Sequence, residues 1–110
     1  MGADCDIQLS GGTPALVNDE AVLNATLAAV TRQYGDSSLA PVQGKFQSED
    51  FSFISERVPG CQLLIGSAKP GRKDQLHNGY FDPDERCIGI GAAAIARVAL
   101  DILAPTPSRT

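Results

Sequence analysis

Hydrophobic and polar positions alternate first along residues 3–9, "ADCDIQL": Ala3, Cys5, Ile7 and Leu9 face one way, Asp4, Asp6 and Gln8 the other. A period of two predicts a half-buried, antiparallel strand with one wet face. "SGGTP" (10–14) then breaks the chain, and no hairpin mate follows, so this strand reads as part of a different sheet from the rest. The period next changes to that of a helix. Leu23, Leu27, Val30 and Tyr34 recur at i, i+4, i+7 and i+11 behind Asn18, Asp19 and Glu20. This predicts a helix over 19–34 with Asn18 as N-cap and Gly35 as its stop.

"LAPVQG" (39–44) suits a short edge strand or an irregular piece, because Pro41 cannot donate to a ladder. Ser48 predicts the cap of a short helix from Glu49 to about Arg57, ended by Pro59-Gly60. "CQLLIGS" (61–67) is a compact apolar run between breakers and predicts a buried strand. Residues 68–82 form a long polar loop, the length at which loops in compact domains often carry function. A last helix is expected from Pro83 or Asp84, with Ile88, Ile95, Val98 and Ile102 on its apolar side. Gly89, Gly91 and Ala92 to Ala94 make one face small enough for very close packing. The tail from Ala104 reads as a frayed end. The order strand, helix, strand, short helix, strand, loop, helix places the chain in the α/β class.

Composition narrows the function. The 110 residues suit one domain, with 43% hydrophobic and 20% charged residues. A net charge of -4 and no basic cluster longer than "GRK" (71–73) argue against a nucleic-acid partner. The N-terminus shows no basic segment followed by an apolar run, so no signal peptide is expected. The longest apolar stretch, 88–103, is interrupted by Arg97 and Asp101, which predicts a buried helix and no bilayer span. Cys5, Cys61 and Cys87 are odd in number and form no CxxC pair; reduced thiols in a cytoplasmic compartment fit them best.

Three stretches could carry chemistry. "GIGAAA" (89–94) matches a dinucleotide-type spacing, but that fingerprint requires a strand immediately before it, and "DPDER" is a helix start. "SEDFS" (48–52) puts two carboxylates in a first helical turn, which serves capping and dipole complementation or the rim of a cleft. His77, the single histidine, lies in the long loop among Asn78, Gly79 and Asp82. One imidazole makes no zinc site, and the carboxylates that could join it are Glu49, Asp50 and Asp82, at no diagnostic spacing.

Taken together, "PALVND" (14–19), "SEDFSFISERVPG" (48–60) and "LHNGYFDPDERCIGIGAAAIARVAL" (76–100) resemble, in order and spacing, the C-terminal part of the aminoacylase-type zinc metallopeptidases. The nearest branch is the amidohydrolases that cleave N-acyl amino acids, such as hippurate hydrolases and hydrolases of indole-acetyl-amino-acid conjugates. The resemblance implies an α/β/α catalytic domain over 14–110. It also implies that residues 1–13 are the last strand of a lid or dimerisation domain and the return from it. His77 would be one ligand of a two-metal centre of zinc, or of manganese, cobalt or nickel, and Glu49, Asp50 and Phe51 would line the active site. The branch's remaining ligands and its Glu-Glu pair, which holds the general base, have no counterpart here, and Gln47 stands where the branch carries Gly. The resemblance therefore implies a fragment, inactive alone, of an enzyme acting on small N-acyl amino acids, with a homodimer or a missing N-terminal half as partner. The competing expectation is a small non-catalytic α/β domain that pairs its first strand with another protein.

Overall fold

The computed structural model describes residues 2–42, 44, 48–72 and 76–104. Three helices and one short turn of 3-10 helix form: α1 over Glu20–Tyr34, the 3-10 turn over Asp36–Ser38, α2 over Phe51–Ser55 and α3 over Arg86–Leu103. Gln47, most of the tail and part of the 39–44 segment lie outside the described residues.

α1 starts one residue later than the pattern predicts, and its cap is Asp19. The Asp19 carboxylate accepts from the Val22 N–H at 3.0 Å. Asn18 serves a different purpose: its side-chain oxygen accepts from the Gln62 N–H at 2.9 Å, while the Asp19 N–H donates to the Gly60 carbonyl at 2.9 Å. A cap residue needs its oxygen free for the helix's own first amides, and Asn18 spends that oxygen on a distant segment. Gly35 closes α1 as expected. Its φ of +84° is a conformation that other residues rarely adopt, and its N–H returns to the Thr31 carbonyl at 2.7 Å.

α2 is a single turn rather than the span from Glu49 to Arg57. Ser48 does not cap it. The Glu49 carboxylate accepts from the Phe51 N–H at 3.2 Å, and the fully buried Ser52 hydroxyl donates to the Glu49 carbonyl at 2.6 Å. α3 begins at Arg86, not at Pro83 or Asp84. The Asp84 N–H is drawn to the Ser67 carbonyl at 2.8 Å, and its carboxylate accepts from the Arg86 N–H at 3.0 Å, so Asp84 stands outside the helix as a capping group.

The small face of α3 packs only in part, and the helix is not buried as expected: Gly89 and Ala92 are exposed, as are Ile88, Ile95 and Ile102 of the expected apolar side, because no further element lies over them among the described residues. Gly91 and Ala94 are buried in α3, as are Thr26 and Ala29 in α1. A Cβ added at Gly91 would lie 3.4 Å from Ile65 Cγ1, so residue 65 sits against the helix at this position with room for little more than a β-carbon. The Tyr34 hydroxyl donates to the Ile90 carbonyl at 3.2 Å, and Arg32 pairs with Asp101.

The expected strands do not form. Among the described residues there is no strand ladder. Residues 2–12 are exposed throughout, Ile7 and Leu9 included. In 61–67, Cys61, Gln62 and Leu63 are half-buried and Leu64 is exposed, while Ile65 touches α3 at Gly91 and is still 37% exposed. The alternating and apolar patterns are those of strands, but a strand is completed by a neighbour's amides and carbonyls, and none stands beside either segment. The accessible surface of 9667 Å² makes the same point. A compact globule of 11.5 kDa exposes about 5,800 Å². No helix of the described residues is long and apolar enough to cross a membrane.

Candidate functional site

Two clusters carry the residues that the sequence singles out. The first joins three distant segments around α2. Gln62 hydrogen-bonds the Glu49 carboxylate through its side chain and Asn18 through its backbone. The Gln62 amide, with the Phe51 N–H behind it, holds the Glu49 carboxyl below the usual carboxylate range. Phe51 packs on Gly60: a Cβ there would sit 3.1 Å from Phe51 Cζ. Below them the Cys61 thiol lies beside the Thr26 hydroxyl, which hydrogen-bonds it, and burial raises its pKa. Glu49 is half-buried and Asp50 exposed. Glu49 thus ties its turn to residue 62, and of the two acids Asp50 is the more exposed.

The second cluster is the loop from Ser67 to Asp84. Its neck is closed by the Asp84–Ser67 backbone bond. Above the neck, Asp82 is gripped on both oxygens, by Lys69 at 2.5 Å and by Arg72 at 3.0 Å. Lys69 first, then Arg72, keep its carboxyl ionised to lower pH than an ordinary aspartate. Asp84 is held down to about 2 by the Arg86 guanidinium and the Arg86 N–H. At the tip, Asn78 folds the chain back: its side chain accepts from the Tyr80 N–H at 2.9 Å and its carbonyl from the Phe81 N–H at 3.0 Å. His77 precedes this turn with φ +61° and is exposed. A non-glycine residue in the left-handed region is uncommon.

The structure therefore gathers Glu49, Asp50 and Phe51 on one turn and sets His77 on a braced loop. It does not build a metal centre from them. Among the described residues no group of three or more His, Cys, Asp or Glu side chains could hold a metal ion. "GIGAAA" lies within the body of α3 and follows no strand. An open concavity along α1 and α3, lined by Arg32, Gln33, Ala93, Ala96, Arg97 and Leu100, contains none of the expected site residues. The bracket formed by Asn18 and Gln62 escapes sequence reasoning, because both residues look ordinary within their own segments.

The chain is similar to known proteins over most of its length. Residues 3–101 match the sequence model of peptidase family M20/M25/M40. A probable hydrolase of Synechocystis sp. is 30% identical over 102 residues, 89% of this chain and 26% of the relative. The N-acetyldiaminopimelate deacetylase of Oenococcus oeni is 33% identical over 85 residues, 77% of this chain and 22% of the relative. The IAA-amino acid hydrolase ILR1-like 6 of Arabidopsis thaliana is 31% identical over 88 residues, 78% and 19% respectively. No solved structure matches. The class these likenesses define is an amidohydrolase-type segment, and the chain belongs to peptidase family M20/M25/M40. It spans about a quarter or less of the length of these relatives.

Proposed function

We propose that this chain supplies the C-terminal part of the α/β/α catalytic domain of a metal-dependent amidohydrolase that cleaves the amide of N-acyl amino acids. The observation that carries this reading is the family match over residues 3–101. The names of two relatives support the substrate class: one for removing an N-acetyl group, the other for hydrolysing an IAA–amino acid conjugate. In this reading residues 1–13 come from the lid or dimerisation domain, and the extended segments 3–9 and 61–67 complete their sheets against the remainder of the polypeptide.

The donor chemistry fits one metal ligand and not a centre. His77 offers an exposed imidazole on a loop whose neck and braces hold it in place, and imidazole suits zinc. Asp82 is occupied by two cations, and the Gln62 side chain hydrogen-bonds Glu49. When bound, the metal polarises the scissile carbonyl and activates water. This chain's share is to present His77, and to line the pocket with Asp50 and Phe51 while Glu49 keeps their turn in place. The general base and the other ligands come from outside these 110 residues, so the chain alone is inactive.

The test is a segment exchange. Residues 1–110 replace the corresponding part of the Oenococcus oeni deacetylase, and metal content and deacetylation are measured. The exchanged enzyme is expected to bind metal and turn over, and His77→Ala to lose metal and activity together. Full metal content and activity in that variant would remove His77 from the site. The 110-residue chain alone, with zinc added, is expected to show no turnover of an N-acyl amino acid; turnover there would overturn the fragment reading.

A further inference from the structure

Of the carboxylates that could join His77 at a metal ion, Asp82 lies on the same loop, and the opposite limb of that loop is shaped to hold it. Lys69, Pro70, Gly71 and Arg72 make a tight turn. The Arg72 N–H donates to the Lys69 carbonyl at 3.0 Å, and Gly71 has φ +76°. Proline second and a positive-φ glycine third is the residue pattern of a type II turn. Such a turn brings its first and last residues close together, and here both are cations that reach one carboxylate. Lys69 Nζ lies 2.5 Å from one Asp82 oxygen, and the Arg72 guanidinium donates to the other at 3.0 Å.

His77 lies inside the span that the Arg72–Asp82 pair closes. The chain between His77 and Asp82 is folded by Asn78, which takes the Tyr80 N–H on its side chain and the Phe81 N–H on its carbonyl. Below Asp82 the Asp84 N–H closes the neck on the Ser67 carbonyl at 2.8 Å. Closing a span removes conformations that its residues would otherwise sample. A histidine on such a span has less freedom left to lose when it takes a metal ion. Asp82 itself is poorly placed as a ligand. A divalent ion there would displace one of the two cations and stand beside the other, and that like-charge placement costs affinity.

We infer that Asp82 is a positioning residue: with Lys69 and Arg72 it staples the two limbs of the loop so that His77 is presented to the metal ion, and it does not ligate that ion itself. The inference rests on the metal-binding role proposed for His77.

Two measurements test it. In the 110-residue chain, NMR follows solvent exchange of the Tyr80 and Phe81 amides. Lys69→Met and Asp82→Asn are expected to speed it by roughly two- to fivefold, the size of effect that exposed ion pairs produce, and Lys69→Arg to leave it unchanged. In the segment-exchanged deacetylase, competition with a chelator measures zinc affinity. Lys69→Met is expected to weaken it by the same factor, and Lys69→Arg to keep it. A ligating Asp82 predicts the opposite sign, because Lys69→Met frees one carboxylate oxygen for the ion. Zinc affinity raised or unchanged in Lys69→Met would overturn the inference, as would amide exchange that neither Lys69→Met nor Asp82→Asn alters. His77→Ala separates the two readings. Full zinc affinity in that variant removes the proposed role of His77. Zinc lost there but fully kept in Lys69→Met removes the staple alone.

Discussion

Two glycines of α3, Gly89 and Gly91, sit two residues apart and test the packing directly. A Cβ at Gly89 meets nothing within 4 Å, whereas at Gly91 it would lie 3.4 Å from Ile65 Cγ1 and 3.9 Å from its Cδ1. Replacing either by leucine gains helix propensity, about 0.7 kcal/mol for Gly to Leu in a helix interior. At position 89 nothing opposes that gain. At position 91 the β-carbon alone fits at contact distance, but the rest of the leucine must displace residue 65, and overpacking of this kind costs about 1–3 kcal/mol. Gly89→Leu should therefore raise stability by about 0.7 kcal/mol, and Gly91→Leu lower it by about 0.3–2.3 kcal/mol. With a urea m-value of about 1 kcal/mol/M, the midpoints move by about 0.7 M up and about 0.3–2.3 M down. Urea titrations followed by circular dichroism at one fixed low protein concentration measure both. Midpoints that shift together, in the same direction and by similar amounts, would show that Gly91 is not at a packed seam and refute the packing of Ile65 on α3.

Two further outcomes follow from the loop and from the thiols. The Asp84 carboxyl, held to about 2 by Arg86, should titrate far below an ordinary aspartate in carboxyl-detected NMR, and Arg86→Ala should return it toward about 3.9. Because the folded value is the lower one, the stabilisation from this pair is fully present above about 4 and disappears as pH falls through about 2; a midpoint near 4 in the unaltered chain would contradict the contact. Among the cysteines, Cys5 is exposed, whereas burial raises the Cys61 thiol and keeps it protonated. Thiol labelling read by mass spectrometry should modify Cys5 before Cys61, and labelling of Cys61 first would contradict its place beside Thr26.

The helices were legible in the residues because their signals are local. The i, i+4, i+7 spacing of Leu23, Leu27 and Val30 and the stop at Gly35 act within one segment, so α1 appears where the pattern puts it. The small residues of α3 likewise announce a close contact, since no other packing makes use of Gly91 beside Ala94. The motifs that carry the family likeness are short runs of chain, and they could be read before any fold was known.

What the sequence by itself could not determine is what each segment leans on. Residues 3–9 and 61–67 are strands by pattern, but strand structure belongs to a pair, and no partner stands beside either of them among the described residues. Asn18 reads as a cap until Gln62, 44 positions away, takes its side-chain oxygen, and the tie between Glu49 and Gln62 is equally invisible in either segment alone. Position 77 shows as a loop histidine, but its left-handed backbone and the ion pairs of Lys69 and Arg72 with Asp82 in the same loop appear only in the structure. Local periodicity is written into neighbouring residues, whereas hydrogen bonds between distant segments exist only once the chain has closed on itself, and it is those bonds that decide which polar side chains are spent on the fold and which remain for chemistry.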